Sequence, residues 1–273
     1  MKILVIDRDD VTANLIRARL EPVGHQVTYL ANKAEGLDTI TRNDFDVVFI
    51  DPSPQTNTKP LVVSVRRHIR YNPYMVLMSQ DMNLSDALSN GLNDILPKPF
   101  DPARLDIVLE NAARLQALHR HLSDDSEDFR SAGGVIAKSA FNQLFLSSLD
   151  RADRYGERAF MLFISIENYN HLSDTLGITE AEIAAAKMAQ HLVRLRRASD
   201  IIGQTRVNEY ALLLLRPSTE TEPQDAANRF AENLSRLTDM ATQPFMEVDF
   251  SVRLIDLPVG NLLVNHKFTL RGA

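Results

Sequence analysis

The amino-acid sequence predicts an α/β protein of two domains: a doubly wound, five-stranded parallel sheet, then an α+β domain with a central, mainly antiparallel sheet. In the first half, short apolar runs alternate with segments that carry apolar residues at helical spacing. The run at residues 46–51, Asp-Val-Val-Phe-Ile-Asp, is apolar enough for a strand buried on both faces. In the second half, two apolar runs flank a short polar turn, which predicts an antiparallel hairpin.

Composition limits the class of protein. The 273 residues are 44% hydrophobic and 24% charged, enough for two globular cores, and the net charge of −6 argues against a broad nucleic-acid-binding face. The absence of cysteine excludes disulfides and thiolate metal sites. No apolar run approaches the ~20 residues that span a bilayer. We therefore expect a cytoplasmic protein with neither a membrane nor a nucleic-acid partner.

The first half alternates strands with helices. Runs rich in Val, Ile and Leu predict strands at residues 3–6, 26–30, 46–50, 75–78 and 94–96. Apolar residues at helical spacing predict helices at residues 12–20, 33–41, 60–69 and 84–89. Because parallel strands need crossover connections that are usually helices, this alternation predicts a parallel sheet.

Charged or polar residues follow several of these strands. They are Asp7 after the first strand, Asp51 after the third, Ser79 after the fourth and Lys98 after the fifth. The carboxyl ends of parallel strands meet at one edge of the sheet, where α/β proteins place their binding sites. We therefore expect these side chains to form one site.

This pattern resembles the receiver domain of two-component response regulators, over residues 1–121. The resemblance implies that Asp51 accepts a phosphoryl group from a histidine kinase or phosphotransfer protein. It also implies that Asp7 and Asp51 hold Mg²⁺, and that Ser79 and Lys98 bind the phosphoryl oxygens. A carboxylate nucleophile needs such cations to offset the charge of the transferred group.

The sequence departs from that family at two positions. Arg8 stands where the family usually has a second acid, which changes the local charge by two units and weakens the predicted Mg²⁺ site. Arg8 could pair with Asp51 and fix the pocket in one state, phosphorylation could persist in weakened form, or Asp9 could move inward as a ligand. Ile95 replaces the family's aromatic switch residue, so a rotating ring cannot report phosphorylation.

The connection between the halves begins with a long predicted helix over residues 101–121. Asp101 and Pro102 suit a helix start, and the apolar stripe that follows is too long to be covered by one small sheet. We expect its far end to pack against a second copy, giving a homodimer, or against the next domain. The acidic stretch at residues 122–133 is the predicted linker, and residues 134–273 form the second domain.

The second half carries further helices and strands. Helices are predicted at residues 141–155, 168–176, 180–197 and 225–237, and strands at 160–166, 201–204, 210–215 and 246–254. This order is similar to the GGDEF domain of diguanylate cyclases, over about residues 130–257. That family continues with a lysine-bearing helix and a closing strand, for which residues 258–273 are expected to be too short, so the domain is expected to be shortened.

The family's Gly-Gly-Asp-Glu-Phe signature is altered in this chain. It falls on Arg206, Val207, Asn208, Glu209 and Tyr210, of which only Glu209 matches. The resemblance implies that the two glycines admit the nucleotide, so side chains at those positions would obstruct it. It also implies metal ligands where Asn208 and Ser165 now stand, and neither is a carboxylate. We therefore predict a degenerate domain with no diguanylate cyclase activity.

A second motif of this family is kept. Arg197-Ala198-Ser199-Asp200 matches the RxxD pattern of the inhibitory cyclic-di-GMP site, at the same distance from the hairpin turn. An arginine fork and an acid suit phosphate and guanine edges. The alternative is that Arg197, with Arg194 and Arg196, is the exposed cationic end of a helix.

The sequence as a whole predicts a response regulator whose inactive GGDEF-like output acts by dimerisation, by binding an unidentified effector protein or by binding cyclic-di-GMP. One alternative is an active diguanylate cyclase with atypical metal ligands. The other is a scaffold that works without phosphorylation.

Overall fold

The computed structural model describes residues 1–54, 58–68, 72–129, 131–237 and 246–272. The chain divides into two compact units. Unit 1 comprises Met1–Ala117 and Asp150–Glu157, and unit 2 comprises Leu118–Leu149 and Arg158–Ala273.

Unit 1 is built on a parallel sheet of five strands. The strands are β1 (Lys2–Ile6), β2 (Gln26–Leu30), β3 (Val47–Ile50), β4 (Tyr74–Ser79) and β5 (Asp94–Pro97), in the order β2-β1-β3-β4-β5. Every neighbouring pair is parallel. The apolar run of β3 is fully buried, as its composition predicts. This confirms the predicted doubly wound sheet.

Helices connect these strands. They are α1 (Asp10–Leu20), α2 (Lys33–Arg42), α3 (Lys59–His68), α4 (Leu84–Ser89) and α5 (Pro102–Ser123), whose last six residues, from Leu118, lie in unit 2. Residue 69, placed in the third predicted helix, lies outside the described residues. Asp9 and Asn32 cap α1 and α2 by accepting backbone N–H groups, so two helix starts are fixed at the carboxyl-end edge of the sheet.

Unit 2 contains an antiparallel sheet of five strands. They are β6 (Ala159–Ile166), β7 (Ile201–Arg206), β8 (Glu209–Leu215), β9 (Glu247–Leu257) and β10 (Leu262–Arg271), in the order β10-β9-β6-β8-β7. The helices are α6 (Lys138–Tyr155), α7 (Tyr169–Leu176), α8 (Ile178–Leu195) and α9 (Glu222–Ser235), and α6 ends within unit 1. Alternate residues of β6 and β8 join the helices in one apolar core.

Residues 258–273 were predicted to be too short for the family's helix and closing strand, but they do contain a closing strand. β9 continues to Leu257, a tight turn follows, and β10 pairs antiparallel with β9 along its length. Gly260 in this turn has a φ of +82°, which glycine adopts without steric cost. A hairpin needs only a short connection, so a closing strand fits without the helix that precedes it in the family's pattern.

The apolar stripe of α5 is buried along its whole length. Leu105, Leu109 and Leu115 are buried in unit 1, and Leu118 and Leu122 are buried in unit 2. The chain itself therefore buries the far end of the stripe. In the part of the chain that is described, no helix has the length and apolar character needed to cross a bilayer.

Candidate functional site

The carboxyl-end edge of the parallel sheet brings three predicted residues together. Lys98 follows β5, and its Nζ donates to the Asp7 carboxylate at 2.6 Å and also to the Asp51 carboxylate. Asp7 is 2% exposed and Asp51 is 9% exposed, so the ammonium joins two nearly buried acids. The structure therefore brings these three side chains together, since each comes at or just after a strand end.

The charges of this cluster support one another. Burial raises the pKa of Asp51, but hydrogen bonds from Lys98 and from Ser53 outweigh it, so the pKa lies below its ordinary value. Burial lowers the pKa of Lys98, but its bonds to Asp51 and Asp7 outweigh that effect and raise it. Asp51 is therefore ionised and Lys98 charged at neutral pH, and each holds the other in place.

Arg8 does not pair with Asp51, and Asp9 does not lie in the pocket as a metal ligand. Asp51 pairs with Lys98 rather than with Arg8, and within the described residues Arg8 forms neither a hydrogen bond nor an ion pair. Asp9 does not turn inward, because its carboxylate accepts from the Val11 N–H at 3.0 Å and from the Thr12 hydroxyl at 2.6 Å. It serves as the cap of α1.

Lys33 is a member of this site that sequence reasoning missed. Its Nζ donates to the carbonyl oxygens of Pro52 and, at 2.6 Å, of Ser53, the two residues after Asp51. The pKa of Lys33 is lowered by burial and then by the charge of Arg8, while Asp51 and Asp7 act in the opposite direction. A lysine in the first turn of α2 opposes the helix dipole, and this mismatch was the available signal.

Ser79 and Ile95 lie on the neighbouring strands. The Ser79 hydroxyl, at the end of β4, accepts from the N–H groups of Asp81 and Met82 at 3.2 and 3.3 Å. Ile95 is buried in the apolar core of unit 1, with an exposure of 5%.

The receiver pocket does not fit Mg²⁺. Magnesium requires several oxygen ligands in octahedral geometry. Across the described residues, no group of three or more acids, histidines or cysteines could hold a metal. The carboxylates of Asp7 and Asp51 already share Lys98, and the carbonyls of Pro52 and Ser53 already share Lys33.

The hairpin of unit 2 carries the altered signature. Val207 and Asn208 form the turn between β7 and β8, and the Asn208 side chain donates to the Ile166 carbonyl at 2.8 Å. The Ile166 N–H in turn donates to the Asn208 carbonyl at 2.9 Å. Beside it, the Ser165 hydroxyl donates to Glu167 at 2.6 Å. Asn208 therefore fastens the turn to the end of β6.

Glu209 is the centre of a buried polar cluster. Its carboxylate contacts His121 Nε2 at 3.0 Å and accepts from the Thr205 hydroxyl and from Arg253, both at 2.8 Å. Burial raises the pKa of Glu209, but these hydrogen bonds and the Arg253 charge outweigh it and lower the pKa. His121 was not predicted as a partner, because it is distant in sequence.

The neighbours of Glu209 in the signature differ in exposure. Arg206 and Val207 are exposed, Val207 by 38%. Tyr210 is buried, with an exposure of 5%, and burial raises its pKa to about 12. The hairpin tip therefore presents side chains to solvent where the family has glycine.

A cavity of about 240 Å³ lies beside the RxxD motif. Its polar and charged lining residues are Arg197, Ser199, Asp200, Arg216, Ser218, Glu222 and Arg229. Arg197 pairs with Glu222, and the Asp200 carboxylate accepts from the Arg197 N–H at 2.9 Å. Arg229 is different: its Nε and one terminal nitrogen are buried and find no hydrogen-bond partner among the described residues.

Two family models match this chain, one in each half. Residues 3–110 match the family model "Response regulator receiver domain", and residues 131–255 match "Diguanylate cyclase, GGDEF domain". A solved receiver domain (CheY-like) from Methylobacillus flagellatus is 25% identical, with a TM-score of 0.37, over 41% of this chain and 98% of its own. The GGDEF domain of PA1120 from Pseudomonas aeruginosa is 20% identical, with a TM-score of 0.38, over 44% of this chain and 74% of its own.

Curated relatives are transcriptional regulatory proteins by name. QseB of Haemophilus influenzae is 29% identical over 205 residues, which cover 72% of this chain and 90% of QseB. YkoG of Bacillus subtilis, named an uncharacterized transcriptional regulatory protein, is 26% identical over 130 residues, which cover 46% of this chain and 54% of YkoG. The chain thus spans about half the length of YkoG. The two family matches place a response regulator receiver domain at residues 3–110 and a GGDEF domain at residues 131–255 of this chain.

Proposed function

We propose that this response regulator signals by binding, and that its GGDEF domain does not synthesise cyclic-di-GMP. In this proposal Asp51 accepts a phosphoryl group from a histidine kinase or phosphotransfer protein. The GGDEF domain then engages a second copy of the chain, an effector protein or cyclic-di-GMP.

The hydrogen bonding of the signature hairpin carries this proposal. Two-metal phosphoryl transfer needs carboxylates free to hold the ions. Here Asn208 holds a backbone carbonyl, and the Glu209 carboxylate is shared by three neighbouring side chains. Ser165 offers only a hydroxyl, which bonds Glu167. Arg206 and Val207 add side chains where close approach of a triphosphate requires bare backbone.

Incubation of the purified protein with GTP and Mg²⁺ or Mn²⁺ tests the absence of synthesis. We expect no cyclic-di-GMP by chromatography, with an active diguanylate cyclase as the positive control. Accumulation of the dinucleotide would overturn the proposal and favour the alternative, a cyclase with atypical metal ligands.

The cavity beside Arg197 is the proposed cyclic-di-GMP site. It places Arg197, Asp200 and Arg229 around one space, and the buried, unpartnered nitrogens of Arg229 favour a ligand that carries phosphate. Glu222 competes for Arg197, so binding of the ligand must displace this ion pair. The Glu222→Gln variant should therefore bind more tightly than the wild type.

Calorimetry with cyclic-di-GMP tests this site. We expect saturable binding that weakens by roughly ten- to a hundredfold in Arg197→Ala and Arg229→Ala, the effect of losing one charge-assisted hydrogen bond. Arg236→Ala, an exposed arginine at the end of α9, is the matched control and should bind as the wild type does. Absence of heat would remove cyclic-di-GMP from the proposal and leave protein contacts as the output.

A further inference from the structure

The oxygen atoms around Asp51 already have lysine partners. Lys98 joins the carboxylates of Asp7 and Asp51, and its side chain is only 9% exposed. Lys33 joins the carbonyls of Pro52 and Ser53. Carboxylate and carbonyl oxygens are the ligands that a hard divalent cation would use. In this pocket two ammonium groups take them instead.

The fixed charges of the pocket balance without a metal ion. Among the charged groups that interact with Lys33 or Lys98, the three acids Asp7, Asp9 and Asp51 face the three cations Arg8, Lys33 and Lys98. Arg8 and the two inner acids all act on Lys33, and Lys98 acts on Asp9, so these groups lie close enough to interact. An acid in place of Arg8 would leave a charge of −2, which one divalent cation neutralises. Arg8 in place of an acid therefore changes the charge of the pocket by two units, the same amount as a bound Mg²⁺.

We propose that this receiver pocket accepts a phosphoryl group without a divalent metal, with Arg8, Lys33 and Lys98 as its source of positive charge. The Asp51 oxygen forms a bond to phosphorus while the donor's bond to phosphorus breaks, a phosphorus–nitrogen bond in a phosphohistidine and a phosphorus–oxygen bond in acetyl phosphate, and the leaving group keeps the electron pair of that bond. Arg8 is exposed, carries no partner among the described residues and has the planar fork that suits phosphoryl oxygens. Lys33 is a positioning residue, since it holds the backbone that follows Asp51.

The inference rests on the proposed function only in taking Asp51 as the phosphoryl acceptor. The GTP and cyclic-di-GMP experiments test unit 2 and do not depend on Asp51. Either proposal can therefore fail while the other stands.

Acetyl phosphate provides the test, with intact-protein mass spectrometry of the full chain as the readout. Wild-type protein should gain one phosphoryl group at the same rate in EDTA and in Mg²⁺, and Asp51→Asn should gain none. Arg8→Asp should react roughly tenfold or more faster with Mg²⁺ than with EDTA, because it restores the need for a metal. Lys33→Met should slow the reaction in EDTA.

Two controls keep the result interpretable. Thermal melting compares the folding of Arg8→Asp with that of the wild type, and Arg8→Gln removes the charge without adding an acid. Arg8→Gln should react more slowly than wild type in EDTA. The proposal is overturned if wild-type protein requires Mg²⁺, if it gains no phosphoryl group in either buffer, or if Asp51→Asn still gains one.

Discussion

At the residue scale, Glu209 is the signature residue that this chain keeps, and its carboxylate contacts three neighbouring side chains. It is 4% exposed and bonded to side chains from α5, β7 and β9. A buried carboxylate is stable only when such partners offset the loss of water. We therefore interpret Glu209 as an interior anchor of the hairpin.

Replacing Glu209 with glutamine tests this interpretation. We expect Glu209→Gln to lower the free energy of unfolding by about 1–3 kcal/mol at pH 7, because the hydrogen bonds lose their charge. The lowered pKa of Glu209 means that its contribution is fully present above the ordinary glutamate pKa of about 4.3 and is lost as pH falls through the lower folded-state value.

Urea unfolding of both proteins from pH 5 further into the acid range measures the effect. The difference between wild type and Glu209→Gln should shrink as pH falls. Glu232→Gln, an exposed glutamate on α9, is the control and should show no such trend. A difference that grows toward acid pH would contradict the anchoring role.

Residue-scale prediction from sequence succeeded where chemistry follows a strand end and failed where it depends on distant partners. Asp7, Asp51 and Lys98 were predicted because parallel strands deliver them to one edge. Lys33 and Arg229 were missed, because each lies on a helix rather than at a strand end. Only the folded structure shows that Lys33 lies beside the Ser53 carbonyl and that Arg229 lines a cavity.

At the scale of elements, the contact between β7 and α6 depends on a glycine. A Cβ built on Gly203 would lie 2.5 Å from the Phe141 ring, closer than real contacts allow. Phe141 is fully buried, so it has little room to move. Gly203 is therefore expected to be required for close packing of the strand against the helix.

The Gly203→Ala variant should lose about 1–3 kcal/mol of unfolding free energy, the usual cost of overpacking a core. Chemical denaturation measures the loss. The same substitution made in a Phe141→Leu background should cost less, because the smaller side chain leaves space for the added methyl group. Equal costs in both backgrounds would show that the clash is not the cause.

Most elements were predictable because long apolar runs have distinct helical or strand periods. β10 was not, although Pro258 and Gly260 are typical turn residues. β10 is an edge strand, and most of its side chains are exposed or half-buried. Polar residues such as His266 and Lys267 stand in its middle, and they weaken the apolar pattern by which a strand is recognised. The expectation that residues 258–273 are too short for a closing strand came from the family resemblance, which places a helix before that strand, rather than from the residues.

At the scale of the whole molecule, the charge of this chain disfavours binding to DNA. It carries 30 basic and 36 acidic side chains, a net charge of −6. Many arginines are also held in ion pairs within the fold, as in Arg151–Glu157, Arg158–Asp256, Arg197–Glu222 and Arg253–Glu209. Non-specific DNA affinity comes mainly from cations that are free to contact phosphates.

We therefore expect no measurable binding to duplex DNA at physiological salt, with a dissociation constant weaker than about 10⁻⁴ M. Fluorescence anisotropy with a labelled duplex measures it, and QseB of Haemophilus influenzae in the same buffer is the positive control. Lowering the salt separates weak electrostatic attraction from specific recognition, because the former strengthens steeply and does not depend on sequence. Saturable, sequence-dependent binding at micromolar concentration would contradict the proposal that the GGDEF domain acts by binding a protein or cyclic-di-GMP. It would show instead that this chain binds DNA.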